Sequence, residues 1–117
     1  MIESPFVILN QKESKQMLEL AKKKHEIFSG DVVKKADQFK ALGDLTRLEI
    51  LALLSERDCC VCELREALEG AASTVNHHLK LLERAGIIRS EKRGKYTIYT
   101  LLFTNEEIES ILGGRFL

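Results

Sequence analysis

Apolar residues recur at steps of three and four along most of the chain and switch to alternation in its last third, so helices should precede a short β element. Residues 11 to 28 carry Met17, Leu20, Ala21, Ile27 and Phe28 at roughly helical spacing among Lys and Glu, which predicts an amphipathic helix whose stripe packs on the core or on a second subunit. A second helix is predicted from Val32 to Leu42, closed by Gly43 in the left-handed conformation, with Asp44 capping the next. From Leu45 to about Ser55, Leu48, Ile50, Leu51, Leu53 and Leu54 make the helix apolar round most of its circumference, as a central buried helix requires. Asp58 is positioned to cap a short helix through Leu68, with Val61, Leu64 and Leu68 on one face. After a turn at Glu69-Gly70-Ala71-Ala72, Ser73 would cap a helix whose inward stripe is Val75, Leu79 and Leu82 and which Gly86 ends. Two helices joined by a short glycine-containing turn make a helix-turn-helix. Ile87 to Leu101 then places β-branched and aromatic residues on either side of Lys92-Arg93-Gly94-Lys95, a hairpin pattern. Thr104 and Glu107 form a capping box for a last helix to Gly113, with Ile108, Ile111 and Leu112.

These elements fit one domain in a chain of 117 residues: a helical arm over 1–30, a winged helix-turn-helix core over 32–102 and a closing helix over 104–113. The fold class is mainly α with a small β-hairpin, a winged helix-turn-helix, and the terminal helices are expected to form a dimer. No apolar run approaches the roughly 20 residues that span a bilayer, so neither a membrane segment nor a secretory signal is expected, and the protein should be cytoplasmic. No phosphate loop, nucleophile-base pair or paired-carboxylate pocket is visible, which points away from an enzyme and from an organic substrate.

Charge changes the picture through its distribution. Eighteen basic residues balance eighteen acidic ones, yet residues 71–100 hold six Lys/Arg against two acids, whereas residues 44–69 hold three Arg against seven acids. A polyanion would meet the basic half. On a helical wheel with Val75, Leu79 and Leu82 inward, Ser73, His77, Lys80 and Arg84 point outward, with Thr74 and Asn76 at the flanks. Thr74, Asn76 and His77, near the helix start, are assigned to base edges in the major groove, and Lys80 and Arg84 to phosphates. An ordinary solvated helix face would look similar; the basic hairpin tip of Lys92, Arg93 and Lys95, suited to phosphates or the minor groove, favours double-stranded DNA. His78, beside the inward stripe, reads as a structural histidine.

The string Ala41-Leu42-Gly43-Asp44-Leu45-Thr46-Arg47-Leu48-Glu49-Ile50-Leu51 resembles the opening of the arsenic-repressor (ArsR) family, with Leu45 where proline is usual. Cys60-Val61-Cys62-Glu63-Leu64 is similar to that family's "CVCDL" element, Ser73 to Leu82 to its "STVSRHLKVL", and Gly86 to Tyr99 to its wing, in register over residues 35–102. The resemblance implies a winged-helix homodimer that represses an operator until an effector binds.

The cysteines crowd into Cys59, Cys60 and Cys62, which in a reducing compartment suggests a thiolate ligand set or a redox pair before a structural staple. Cys59 and Cys62 share a face if a helix already runs there; Cys60 and Cys62 diverge by about 200° in regular helix and converge only if the first turn is distorted or extended. A thiol at a helix N-terminus is biased toward the thiolate that soft ions and oxidants need. The resemblance implies that Cys60 and Cys62 supply two ligands to an ion such as As(III), Cd or Zn. The family's third cysteine is replaced by Arg65 and the arm has none, so Cys59 is the candidate substitute. The family's other metal site, built from Asp and His on the last helix, is not expected, because residues 104–113 contain no His, Asp or Cys. Two other readings stay open: buried, inert cysteines in a DNA-binding protein without an effector, and a winged-helix module that binds protein instead of DNA.

Overall fold

Burial in this chain follows the helical stripes. The computed structural model describes residues 6–104 and 106–107, which fall into two compact units divided along the chain between Lys35 and Ala36. In the first unit, α1 (Gln11–Lys24) is opened by Asn10, whose side chain accepts from the Glu13 amide at 2.8 Å while Glu13 accepts from the Asn10 amide at 3.1 Å. This reciprocal cap satisfies two of the donors left over at a helix start. The helix stops at His25, and a 3-10 turn follows at Glu26–Phe28, so the expected single helix over 11–28 is two elements. Lys35 donates to the carbonyls of Ile27 and Ser29 at 3.2 and 2.7 Å, which ties this turn down. No residue of α1 is buried: Met17 and Leu20 are each 57% exposed.

The next helix, α2 (Val32–Leu42), gains its cap from Asp31, which accepts from the Lys34 amide at 3.0 Å. Gly43 does not close it in the left-handed region; among the described residues the glycines with positive φ are Gly30, Gly86 and Gly94. Asp44 caps α3 (Leu45–Glu56) as expected, accepting from the Arg47 amide at 3.0 Å. Within α3, Ile50, Leu51 and Leu54 are buried, and Leu48 and Leu53 pack on the core from its edge. The core is completed by Leu64 of α4 (Val61–Leu68), by Val75, Leu79 and Leu82 of α5 (Ala72–Arg84), and by Ile87 and Ile88.

Two caps differ from expectation. The α4 helix starts after Cys60, not Asp58, and α5 starts after Ala71, which makes no side-chain cap bond, so Ser73 lies inside the first turn. Between α4 and α5 the left-handed residue is Glu69, at φ 49°, a conformation that costs a non-glycine residue about 1 kcal/mol or more and that glycine would adopt freely. Gly86, at φ 73°, does end the α5 run as expected.

The sheet is one strand larger than the predicted hairpin. β2 (Ile88–Arg93) and β3 (Tyr96–Leu101) pair antiparallel from Ile88 with Leu101 to Arg93 with Tyr96, leaving Gly94 and Lys95 as the two-residue loop. Gly94 has φ 61° and Lys95 has no positive φ, the pattern of a II′ hairpin turn. The added strand β1 (Cys59–Cys60) pairs with β3 on its other edge, giving the order β1-β3-β2. Five helices and a three-stranded antiparallel sheet, with a helix-turn-helix leading into a hairpin, make a winged helix-turn-helix among the described residues. The Thr104 hydroxyl accepts from the Glu107 amide at 3.1 Å, the predicted cap; the body of the predicted closing helix lies outside the described residues.

Candidate nucleic-acid interface

The α5 helix has two faces with opposite fates. Its inward stripe of Val75, Leu79 and Leu82 is fully buried, which fixes the rotation of the helix about its axis. That rotation leaves Ser73, Thr74, Asn76, His77, Lys80 and Arg84 exposed, and all six assigned residues therefore stand on the solvent side of one rigid element. Thr74, Asn76 and His77 lie in its first two turns, while Lys80 and Arg84 follow along the axis.

His78 is held beneath this face. Its Nδ1 stands 3.0 Å from Arg47 Nη1, a contact in which the guanidinium can only donate. Arg47 Nε also donates to the Ala41 carbonyl at 2.6 Å, so Arg47 joins α2, α3 and α5. Asp44 lies 3.7 Å from the same His78 nitrogen. The amide of Arg47 donating to its carboxylate, chiefly, holds the Asp44 pKa below its ordinary value.

The wing carries the second group of cations, all exposed: Lys92, Arg93 and Lys95. They are not equivalent. Glu91 lies 3.4 Å from Arg93 and 3.8 Å from Arg89, a carboxylate shared between two guanidinium groups on one strand. Lys95 instead leans over the Tyr96 ring with its ammonium 5.4 Å from the centroid, within cation–π range. The role of Glu91 was missed in the sequence, although residues 89, 91 and 93 share one face of a strand by simple alternation.

The cysteine trio is divided. Cys59 is buried in the core and turned inward, its thiol donating to the Arg57 carbonyl at 3.3 Å, and desolvation, first among the causes, raises its pKa. Cys60 and Cys62 are joined as a disulfide. They meet because Cys60 is still extended, at φ −71° and ψ 149°, when Cys62 has entered the helix; this is the extended first turn that their convergence requires. Cys60 also caps α4: its sulfur accepts from the Cys62 amide at 3.2 Å, and its own amide donates to Glu63 at 2.9 Å. Glu63 is held in turn by Arg57 at 3.1 Å. In the reduced protein the same backbone would present two thiols side by side, Cys62 exposed and Cys60 as buried as Cys59, and a thiophilic ion would be held by these two sulfurs, whereas Cys59 is turned into the core on the other face of β1. Among the described residues, no group of three His, Cys, Asp or Glu side chains is disposed to hold a metal.

Comparison with known proteins bears on the same residues. Residues 44–90, from the α3 cap to the start of the wing, match the family model of bacterial regulatory proteins of the arsR family. The chain is 39% identical over 84 residues to an arsenical resistance operon repressor of Bacillus subtilis, covering 70% of this chain and 78% of that protein. It is 39% identical over 83 residues to a cadmium resistance transcriptional regulatory protein, a CadC homologue, of Staphylococcus aureus, covering 70% of this chain and 67% of that one. Among solved structures, HlyU from Vibrio cholerae superposes with a TM-score of 0.61 at 30% identity, over 72% of this chain and 90% of that chain.

Proposed function

The chain belongs to the arsR family of bacterial regulatory proteins, a family of DNA-binding transcription regulators and not of enzymes, and from that premise we propose that it is a dimeric repressor whose grip on its operator is released at Cys60 and Cys62. The reading assigns Thr74, Asn76 and His77 to base edges, Ser73, Lys80 and Arg84 to the backbone beside them, and Lys92, Arg93 and Lys95 to phosphates flanking the groove. Two copies are invoked because α1 leaves Met17, Leu18 and Leu20 exposed at one-half or more, an apolar stripe that a partner subunit would cover. The two recognition helices would then read half-sites about 10 base pairs apart, or a multiple of that, in an imperfect palindrome.

What supports the sensing half is the convergence of the two sulfurs at the start of α4. A thiophilic ion taken up there, or oxidation of the pair, would alter the first turn of α4 and the strand β1 that leads into it. The relatives fit this reading, since one is named for arsenical resistance and another for cadmium resistance. The experiment is a fluorescence-anisotropy titration on operator DNA with arsenite, Cd(II), Zn(II) and a mild oxidant in turn. At least one should weaken binding about tenfold, a coupling of roughly 1.4 kcal/mol that the effector must feel in return. Cys60→Ser and Cys62→Ser should each abolish the response and leave the affinity of the reduced, ion-free protein nearly unchanged. A wild-type protein that responds to none of the four would leave the cysteines with a structural role only.

A further inference from the structure

The strand β1 was not expected, and it joins the cysteine pair directly to the wing. Cys60 pairs with Ile98 on β3, and Ile98 pairs in turn with Glu91 on β2. Residues directly opposite one another in antiparallel strands share a face and stand about 5 Å apart. Cys60, Ile98 and Glu91 therefore form one row across the sheet. Glu91, at the end of that row, is the carboxylate shared by Arg89 and Arg93.

The neighbouring row differs. Cys59, Tyr99 and Ser90 lie on the opposite face, with Cys59 in the core and Tyr99 packed against it. Ser90 donates to Glu83 at 2.6 Å, close to the C-terminal end of α5 and two turns from the reading residues at its start. The row through Cys59 thus meets the recognition helix far from its base-reading end, while the row through Cys60, buried at its cysteine end, runs out to the cations of the wing.

Resting on the sensing just proposed, we infer that the Cys60–Cys62 pair controls DNA binding through the wing, by way of the row Cys60, Ile98 and Glu91, and not by moving the reading end of α5. Closing the bond takes two protons and two electrons from the two thiols, which a small-molecule disulfide accepts by leaving as two thiols. The bond fixes Cys60 against the Cys62 turn; opening it frees the Cys60 backbone, and with it the register of a strand only two residues long. Ile98 has Cys60 on one side and Glu91 on the other, so the change reaches the carboxylate that decides whether Arg89 and Arg93 are held back or offered to phosphate. Glu91 acts here as a positioning residue.

The test compares operator affinity of the full chain oxidised with a low-molecular-weight disulfide and reduced with dithiothreitol. The wild-type ratio between the two forms should be about tenfold. Glu91→Gln should bring that ratio below about twofold, Glu91→Asp should retain most of it, and His77→Ala should weaken both forms while keeping the ratio. Amide exchange at Thr97 and Ile98 should differ between the wild-type forms, independently of DNA. A Glu91→Gln protein that keeps the full ratio overturns the route through the wing while leaving the cysteine switch intact. A wild-type protein with no response to thiol chemistry or to any ion removes the switch itself, and the route with it.

Discussion

The recognition helix and the wing offer DNA similar chemistry from different supports. On α5 the exposed polar residues stand on a helix whose other face is buried in the core at Val75, Leu79 and Leu82, so their positions are fixed relative to one another. On the wing, only Ile88 of β2 is buried; of β3, Tyr96 is exposed and the rest partly buried, with Tyr99 and Leu101 packed on the core at the end away from the tip. Its cations are placed by local partners instead: Glu91 for Arg89 and Arg93, the Tyr96 ring for Lys95. A stiff element suits base reading, where an error of an ångström loses a bidentate hydrogen bond. An adjustable one suits phosphates, which attract cations over a Debye length with little demand on geometry.

The sharpest way to break this comparison is to remove the support itself. Leu82 is completely buried at the centre of the core, so Leu82→Ala should cost about 2–5 kcal/mol of stability through lost burial and the cavity left behind. Because the same side chain fixes the rotation of α5, base discrimination should fall in the fraction that remains folded, whereas the salt dependence set by the wing should persist. Thermal denaturation with operator titrations below the transition measures both. If discrimination survives the loss of the support, the helix needs no rigid seat and the contrast fails.

A smaller effect is expected from the reading residues. Asn76→Ala or His77→Ala removes an exposed side chain, so stability should change by no more than about 0.5 kcal/mol. Operator affinity should drop by about 1–3 kcal/mol, and the variant should tolerate base changes that the wild type rejects. Uniform weakening on every sequence would make these residues backbone contacts and move base reading elsewhere.

Legibility in the sequence follows the same division. The two faces of α5 were readable because a 3.6-residue period with three apolar anchors admits one rotation, and the hairpin was readable from alternation around Gly94. Strand β1 was not, because two residues carry no period and only their pairing with Tyr99 and Ile98 defines them. Oxygen side chains cap helices far more often than sulfur, which favours Asp58 for α4, but the backbone stays extended for two further residues and Cys60 takes the role. Gly43 does not take the left-handed φ expected at the end of α2, whereas Glu69 takes one at the end of α4, where its residue type gives no warning. Within the site, the exposure of the nine residues proposed to meet DNA followed from pattern alone. The separation of Cys59 from Cys60 and Cys62 did not, since Cys59 and Cys60 take opposite faces of a strand too short to show a pattern, and Cys62 already lies in α4.

The smallest expected effect concerns the wing's own tip and separates holding from reading. Lys95 occupies the loop between β2 and β3, and its ammonium rests over the Tyr96 ring, an interaction worth about 0.5–1 kcal/mol at an exposed site. Its aliphatic stem is already oriented before DNA arrives, so little side-chain entropy remains to be lost on binding. Lys95→Ala should therefore weaken specific and nonspecific DNA by the same factor and lower the slope of log K against log salt by about one counterion. Arg93, which has to leave Glu91 before it can meet a phosphate, should give a shallower change when replaced, since part of its attraction to DNA is offset by the pair it gives up. Affinity measured from low to high salt on operator and on unrelated duplex decides the matter. If Lys95→Ala altered which bases are preferred, the wing would be a reader, and the division of labour between a rigid helix and an adjustable hairpin would be wrong.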